Sequence, residues 1–295
     1  MTDFNETTPS SSAPSDTESN GSQGVAPAPS GTPLKPPPAI TMHAPSAETL
    51  WTEIVIAVNY LTRLNLRLRE APKPRFIRKA MVWFPVVGAA IGAFGATVDW
   101  IMMSIGLPGI ITAAFAVISM LWITRALHEE EFASMANQYG KTFDKGQSVG
   151  WLKEERSVQY GTLAVILVII IKIGAIASLS DSSIVFQALI ASACWSRAMM
   201  VVMAAWLRPI EGDPVADYFQ QPPFLRMILA LVIGVVVAYL SLDSYATYIL
   251  AAGGGAGLLV TLLGANHQRG YNGPLMGTLQ EIVELTILGV ILAIQ

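Results

Sequence analysis

The sequence predicts an all-α fold: a polytopic helical bundle of about seven transmembrane helices, preceded by one interfacial helix. Three observations predict it. Of 295 residues, 53% are hydrophobic and only 13% charged, with a mean hydropathy of +0.50. Soluble domains carry about 25% charged residues, so this chain lacks the polar surface that keeps a globule in water. Second, apolar runs approaching or exceeding the roughly twenty residues that cross a bilayer as a helix succeed one another from residue 82 onward. Third, Lys and Arg fall on alternate joints between those runs.

Residues 1–47 are rich in Ser, Thr, Pro, Gly and Ala and poor in large apolar side chains. Such a segment cannot bury enough surface to offset its ordering entropy, so a disordered tail is expected there. It lacks the basic stretch and apolar core of a signal peptide. The membrane-embedded domain is expected over 48–295. Its first apolar stretch, 50–62, contains Glu53 and Asn59 and is too short to span, which places it at the interface. A basic run follows: Arg63, Arg67, Arg69, Lys73, Arg75, Arg78 and Lys79.

The spans are expected near 82–104, 108–126, 162–179, 184–206, 225–241, 245–265 and 275–294. The joints 105–108, 180–183 and 242–244 contain no Lys or Arg, whereas from residue 63 onward every Lys and Arg outside the membrane falls on the opposite joints. The positive-inside rule makes the basic side cytoplasmic. Asp99, Lys172, Arg197, Glu281 and Glu284 fall within or near apolar helices, where ionisable groups face a bundle interior or a wet cavity. Pairing of Lys172 and Arg197 with Glu281 or Glu284 follows as an expectation. Gly88-x3-Gly92 and the glycines of 253–257 read as sites of close helix packing. Cys194 stands alone in an apolar run, which excludes a disulfide framework and reads as packing.

The long polar stretch 127–161 interrupts this pattern. A helix running through its start places Glu130, Ser134 and Asn137 at i, i+4 and i+7 on one face, flanked by Glu129 and Glu131. Oxygen ligands on one face suit Mg²⁺, with Mn²⁺ as a substitute. A second polar set, Lys153, Glu154, Glu155 and Arg156, offers cations for phosphate oxygens and acids for a metal. A solvated helix end with alternating charges has the same composition. No Walker loop, CxxC pair or Ser-His-Asp signal appears.

Four stretches carry a resemblance. Leu61-Thr62-Arg63-Leu64, Trp83 to Gly88, Leu127 to Gly161 and Gly270 to Glu284 resemble, in order and spacing, motifs of the cobalamin synthase family, the membrane-bound adenosylcobinamide-GDP ribazoletransferases. The chain departs from that pattern in places. Glu130, Ser134, Asn137 and Pro274 stand where the family has Asp, Glu154 replaces another Asp, and Glu131 replaces a Gly. His128, Glu129, Lys153, Arg156, Gly273, Gly277, Glu281 and Glu284 match. The resemblance implies an enzyme of cobalamin biosynthesis that joins adenosylcobinamide-GDP to α-ribazole, or its 5′-phosphate, and releases GMP. It implies metal ligands at Glu129, Glu130, Ser134 and Asn137, catalytic roles for Lys153, Glu154 and Arg156, and substrate contacts from His128, Arg63 and Glu281. Loss of about two negative charges lowers the expected affinity for a divalent ion. The implied setting is the bacterial inner membrane with the polar stretch facing the cytoplasm. The lipid bilayer is the expected surrounding, with no nucleic-acid partner, and a homo-oligomer or a complex with other cobamide-assembly enzymes is compatible. Two other readings stay open. One is a catalytically degenerate member that binds a corrinoid or acts as a scaffold. The other is a small transporter, suggested by intramembrane Asp99, Lys172 and Glu281 but not by any visible inverted repeat.

Overall fold

The computed structural model describes residues 47–68, 70–143, 150–179 and 181–295, with side chains described for 50–68, 70–140, 160–179 and 181–295. The expected tail lies outside these residues apart from Ala47. Helices account for the architecture, and among the described residues β-structure is limited to one isolated bridge between Pro209 and Tyr271. The chain is a polytopic membrane bundle.

The short apolar helix α1 (Ala47–Leu61) buries Val55, Ile56, Ala57 and Leu61. Its Glu53 is fully buried and accepts two hydrogen bonds from Arg226, at 2.7 and 3.2 Å. Helix α2 (Pro74–Ala80) begins with a proline, whose fixed φ suits the first helical position. A 3-10 turn over Met81–Trp83 joins it to α3 (Phe84–Ser104), giving one apolar run from Pro74 to Ser104.

Helix α4 (Gly109–Thr124) stops at Arg125 and Ala126, which both take left-handed backbone conformations, with φ of 61° and 52°. Two consecutive residues of that hand cannot continue a right-handed helix. Helix α5 (Leu127–Phe143) therefore leaves at 88° to α4. The helix expected at the start of the polar stretch is present, as a new element rather than a continuation of α4. Helix α6 (Gly150–Ala177) already begins inside the same stretch, so most of 127–161 is helical.

Helix α7 (Ser182–Trp206) is capped by Asp181, which accepts from the Ser183 amide at 3.2 Å. It forms the centre of the bundle: residues 191–201 are buried without interruption. It packs on α3 through Gly88 and Gly92. A Cβ on either glycine would lie 2.3 Å from the Ala193 carbonyl oxygen or 2.2 Å from that of Leu189, so only glycine admits this backbone approach.

Short helix α8 (Pro214–Phe219) precedes α9 (Phe224–Leu242) and α10 (Ala246–His267). The last two are joined by a 3-10 turn over Asp243–Tyr245, and the Tyr239 and Thr247 hydroxyls meet at 3.1 Å. Residues eight apart on one helix would be about 12 Å apart, so the chain reverses at Asp243. Helix α11 (Gly273–Ile294) closes the bundle, capped by Asn272. Among the described residues five helical runs are long and apolar enough to cross a membrane, or six with the bent pair α4–α5, with α9 and α10 counted together as one run. Outer faces such as Leu163, Ile166, Leu167, Ile170 and Ile171 of α6 remain exposed at helical spacing, as lipid-facing surfaces do.

Candidate functional site

The polar helix α5 is held by three neighbours. Its first turn packs on the start of α11, where a Cβ at Gly277 would lie 2.3 Å from the Glu131 Cβ. Its C-terminal half packs on α6. Gly161 donates its amide to the Asn137 side-chain oxygen at 2.6 Å, and a Cβ at Gly140 would fall 2.2 Å from the Tyr160 ring. On the α1 side, Tyr60 donates its hydroxyl to Glu131 at 3.4 Å. Burial pushes the Tyr60 hydroxyl well above its ordinary pKa, and the charge of Glu131 adds to the shift, so the group stays a proton donor. Tyr60 itself is fixed by Phe84 and Phe219, with ring centroids at 5.5 and 4.7 Å.

The other oxygen of Glu131 lies 3.0 Å from His128 Nδ1, and both side chains are buried. This pair, with Tyr60, is the contact that ties α5 to α1. The sequence reading placed Glu131 only as a flank of the acidic face. The helix break at Arg125 and Ala126 turns it inward, and no glycine at those positions announced the break.

Behind α5 lies a buried ion network. Lys172 Nζ stands 2.8 Å from Glu281, 3.7 Å from Glu129 and 3.9 Å from Glu284. Arg197 Nη1 lies 3.0 Å from Glu284 and 3.1 Å from the Ser196 hydroxyl, and the Gln280 amide also donates to Glu284. Both expected pairings therefore form, and they join α5, α6, α7 and α11. Two cations face three carboxylates there, which is how charges survive in a membrane interior. Beside the network is a cavity of about 20 Å³, lined by Thr124, His128, Glu129, Lys172, Arg197 and Glu284 among apolar side chains. That volume fits a single water molecule. His128 Nε2, Glu129 Oε2 and Arg197 Nε have no hydrogen-bond partner among the described residues.

The remaining named residues separate. Glu130 and Ser134 share the exposed face of α5, while Asn137 is half-buried and engaged by Gly161. Glu129 turns instead toward Lys172. Among the described residues no group of three His, Cys, Asp or Glu side chains is placed to hold a metal ion. Arg63 is exposed, with its guanidinium 4.2 Å above the Trp122 ring. Lys153, Glu154 and Arg156 lie on α6, but their side chains fall outside those described.

One organising group carries no sequence signal beyond that of a helix cap. Asp213 accepts from the amides of Val215, Ala216 and Gly273, at 3.0, 2.9 and 3.2 Å, and so ties the start of α8 to the start of α11. Tyr271, fully buried beside it, donates to the Gln220 carbonyl at 2.6 Å; burial and the charge of Asp213 push its pKa up. An Asp before a proline reads in sequence only as a helix cap.

A family model described as cobalamin-5-phosphate synthase matches residues 53–292. A protein of Bradyrhizobium diazoefficiens named adenosylcobinamide-GDP ribazoletransferase is 27% identical over 255 residues, covering 85% of this chain and 98% of that protein. Proteins of the same name from Polaromonas naphthalenivorans and Sinorhizobium medicae are 26% and 28% identical, covering 78% and 81% of this chain and 94% and 95% of theirs. No solved structure matches. The matched region runs from the buried Glu53 of α1 almost to the end of α11, and on that extent the chain belongs to the cobalamin-5-phosphate synthase family.

Proposed function

We propose that this protein is an adenosylcobinamide-GDP ribazoletransferase of cobalamin biosynthesis, joining adenosylcobinamide-GDP to α-ribazole or its 5′-phosphate. The observation that carries the reading is the family match over 53–292, which takes in every helix of the bundle. In this reaction a ribose hydroxyl oxygen bonds to the phosphorus next to the cobinamide, the diphosphate bridge breaks, and GMP leaves; the hydroxyl proton passes to a base. The exposed face of α5, with Glu130 and Ser134, is the part of the polar stretch that substrate meets. His128, Glu129 and Glu281 act from behind it, through the buried network, rather than by direct contact. Lys153 and Arg156 are assigned to phosphate oxygens and Glu154 to the proton, by their place in the family pattern. Magnesium belongs to this reading as the ion that neutralises the substrate's diphosphate.

We place the protein in the bacterial inner membrane with α5 toward the cytoplasm, supported by the confinement of Lys and Arg to one set of joints. The test is an assay of the purified chain with both substrates and Mg²⁺, repeated with Glu130→Ala and Asn137→Asp. The wild type forms product, Glu130→Ala loses about tenfold or more in kcat/KM, the scale of one charge contact in the transition state, and Asn137→Asp retains activity. Wild-type activity untouched by Glu130→Ala contradicts the assignment of the α5 face.

A further inference from the structure

We infer that the basic segment 63–79 is a docking surface for anionic phospholipid headgroups at the rim of the bundle. The segment carries seven Lys and Arg residues against one acid, Glu70. Arg63, Arg67, Lys73, Arg75 and Arg78 are all exposed, and Arg75, Arg78 and Lys79 share one face of α2 at i, i+3 and i+4.

Depth argues for lipid. The run Pro74–Ser104 is too long for the hydrocarbon core alone. Twenty residues counted back from Ser104 cover about 30 Å and end near Pro85. Lys79, Arg78 and Arg75 precede that point by about six to ten residues, beyond the length that the hydrocarbon core takes up, where long side chains reach the headgroup layer.

The neighbouring loop argues the same way. It is built rather than loose: the Asn59 side chain accepts from the Leu66 amide at 2.8 Å and donates to its carbonyl at 2.9 Å. The Thr62 hydroxyl accepts from the Leu64 amide at 3.2 Å, and the Arg63 amide donates to the Ile123 carbonyl at 2.7 Å. This fixed loop presents Leu64, 48% exposed, between Arg63 and Arg67, and Arg63 covers Trp122, 57% exposed. Exposed leucine and tryptophan beside arginine suit the boundary between acyl chains and phosphates. A soluble polyanion gains nothing from that apolar fringe.

The inference does not depend on the transferase reading. Its test uses the full chain in nanodiscs of phosphatidylcholine alone or mixed with phosphatidylglycerol, with bound lipid counted by native mass spectrometry. Each Lys or Arg near an anionic surface contributes about 1 kcal/mol, a factor of about five. The wild type therefore retains phosphatidylglycerol about fivefold or more above its share in the disc. The preference falls to the bulk ratio in the triple variant Arg67→Gln/Arg75→Gln/Arg78→Gln and persists in the corresponding triple Lys variant. Inorganic diphosphate added to the discs leaves it unchanged. Equal retention of the two lipids by the wild type overturns the proposal, as does a preference unaltered in the Gln variant. Displacement of the lipid by millimolar diphosphate also overturns it, and makes the segment a site for a free phosphorylated ligand.

Discussion

Lys172 is the residue on which the interior depends most. It faces Glu281, Glu129 and Glu284 within 3.9 Å, and removing it leaves carboxylates buried without their cation. Lys172→Met is expected to destabilise the bundle by about 3–5 kcal/mol, measured by denaturant titration in detergent. The double variant Lys172→Met/Glu281→Gln recovers part of that loss. A steric prediction belongs to Gly277, where an added Cβ would meet Glu131 at 2.3 Å. Gly277→Val lowers the melting temperature markedly. Gly255→Ala, with nothing within 4 Å of the new methyl group, leaves it unchanged or slightly raised. These ionic partners were legible in the sequence, because a charge in an apolar helix has to find an opposite charge. The inward turn of Glu131 was not. Its direction depends on two left-handed residues, Arg125 and Ala126, whose side chains carry no mark of that conformation.

Among the elements, α5 shows what pattern reading does and does not capture. The spacing of Glu130, Ser134 and Asn137 placed them on one face of a helix; they lie on one helix, with Glu130 and Ser134 exposed and Asn137 half-buried against α6. The spacing could not say which neighbour buries which flank. Packing decides that: α11 takes the Glu131 side and α6 the Asn137 side. Helix α1 was legible as short and apolar, but its anchor across 173 residues of sequence was not, since Arg226 reads only as a basic joint residue. Arg226→Ala leaves Glu53 buried and unpaired, and should weaken the docking of α1 by about 3–5 kcal/mol. Amide exchange across 50–61 reads this directly: α1 loses protection while α7 keeps it. Equal loss across both helices would mean that α1 is not a separable element.

At the scale of the molecule, hydropathy and loop charge defined the membrane bundle because every backbone group in lipid must be satisfied within a helix. Span counting is less direct, since α4 is short and breaks into α5, and α9 and α10 are separated only by the reversal at Asp243. The proposed orientation predicts opposite labelling at two joints. Glu211→Cys reacts with an impermeant thiol reagent only from the cytoplasmic side, and Asp243→Cys only from the outside; native Cys194 is buried and stays silent. The substituted acidic face leaves turnover as the central claim. Its most direct measurement is release of GMP from adenosylcobinamide-GDP by the purified wild-type chain with α-ribazole and Mg²⁺. The account predicts GMP and the joined corrinoid product in equal amounts, with GMP release dependent on α-ribazole. Absence of both, under conditions where the Bradyrhizobium diazoefficiens relative turns over, would contradict it.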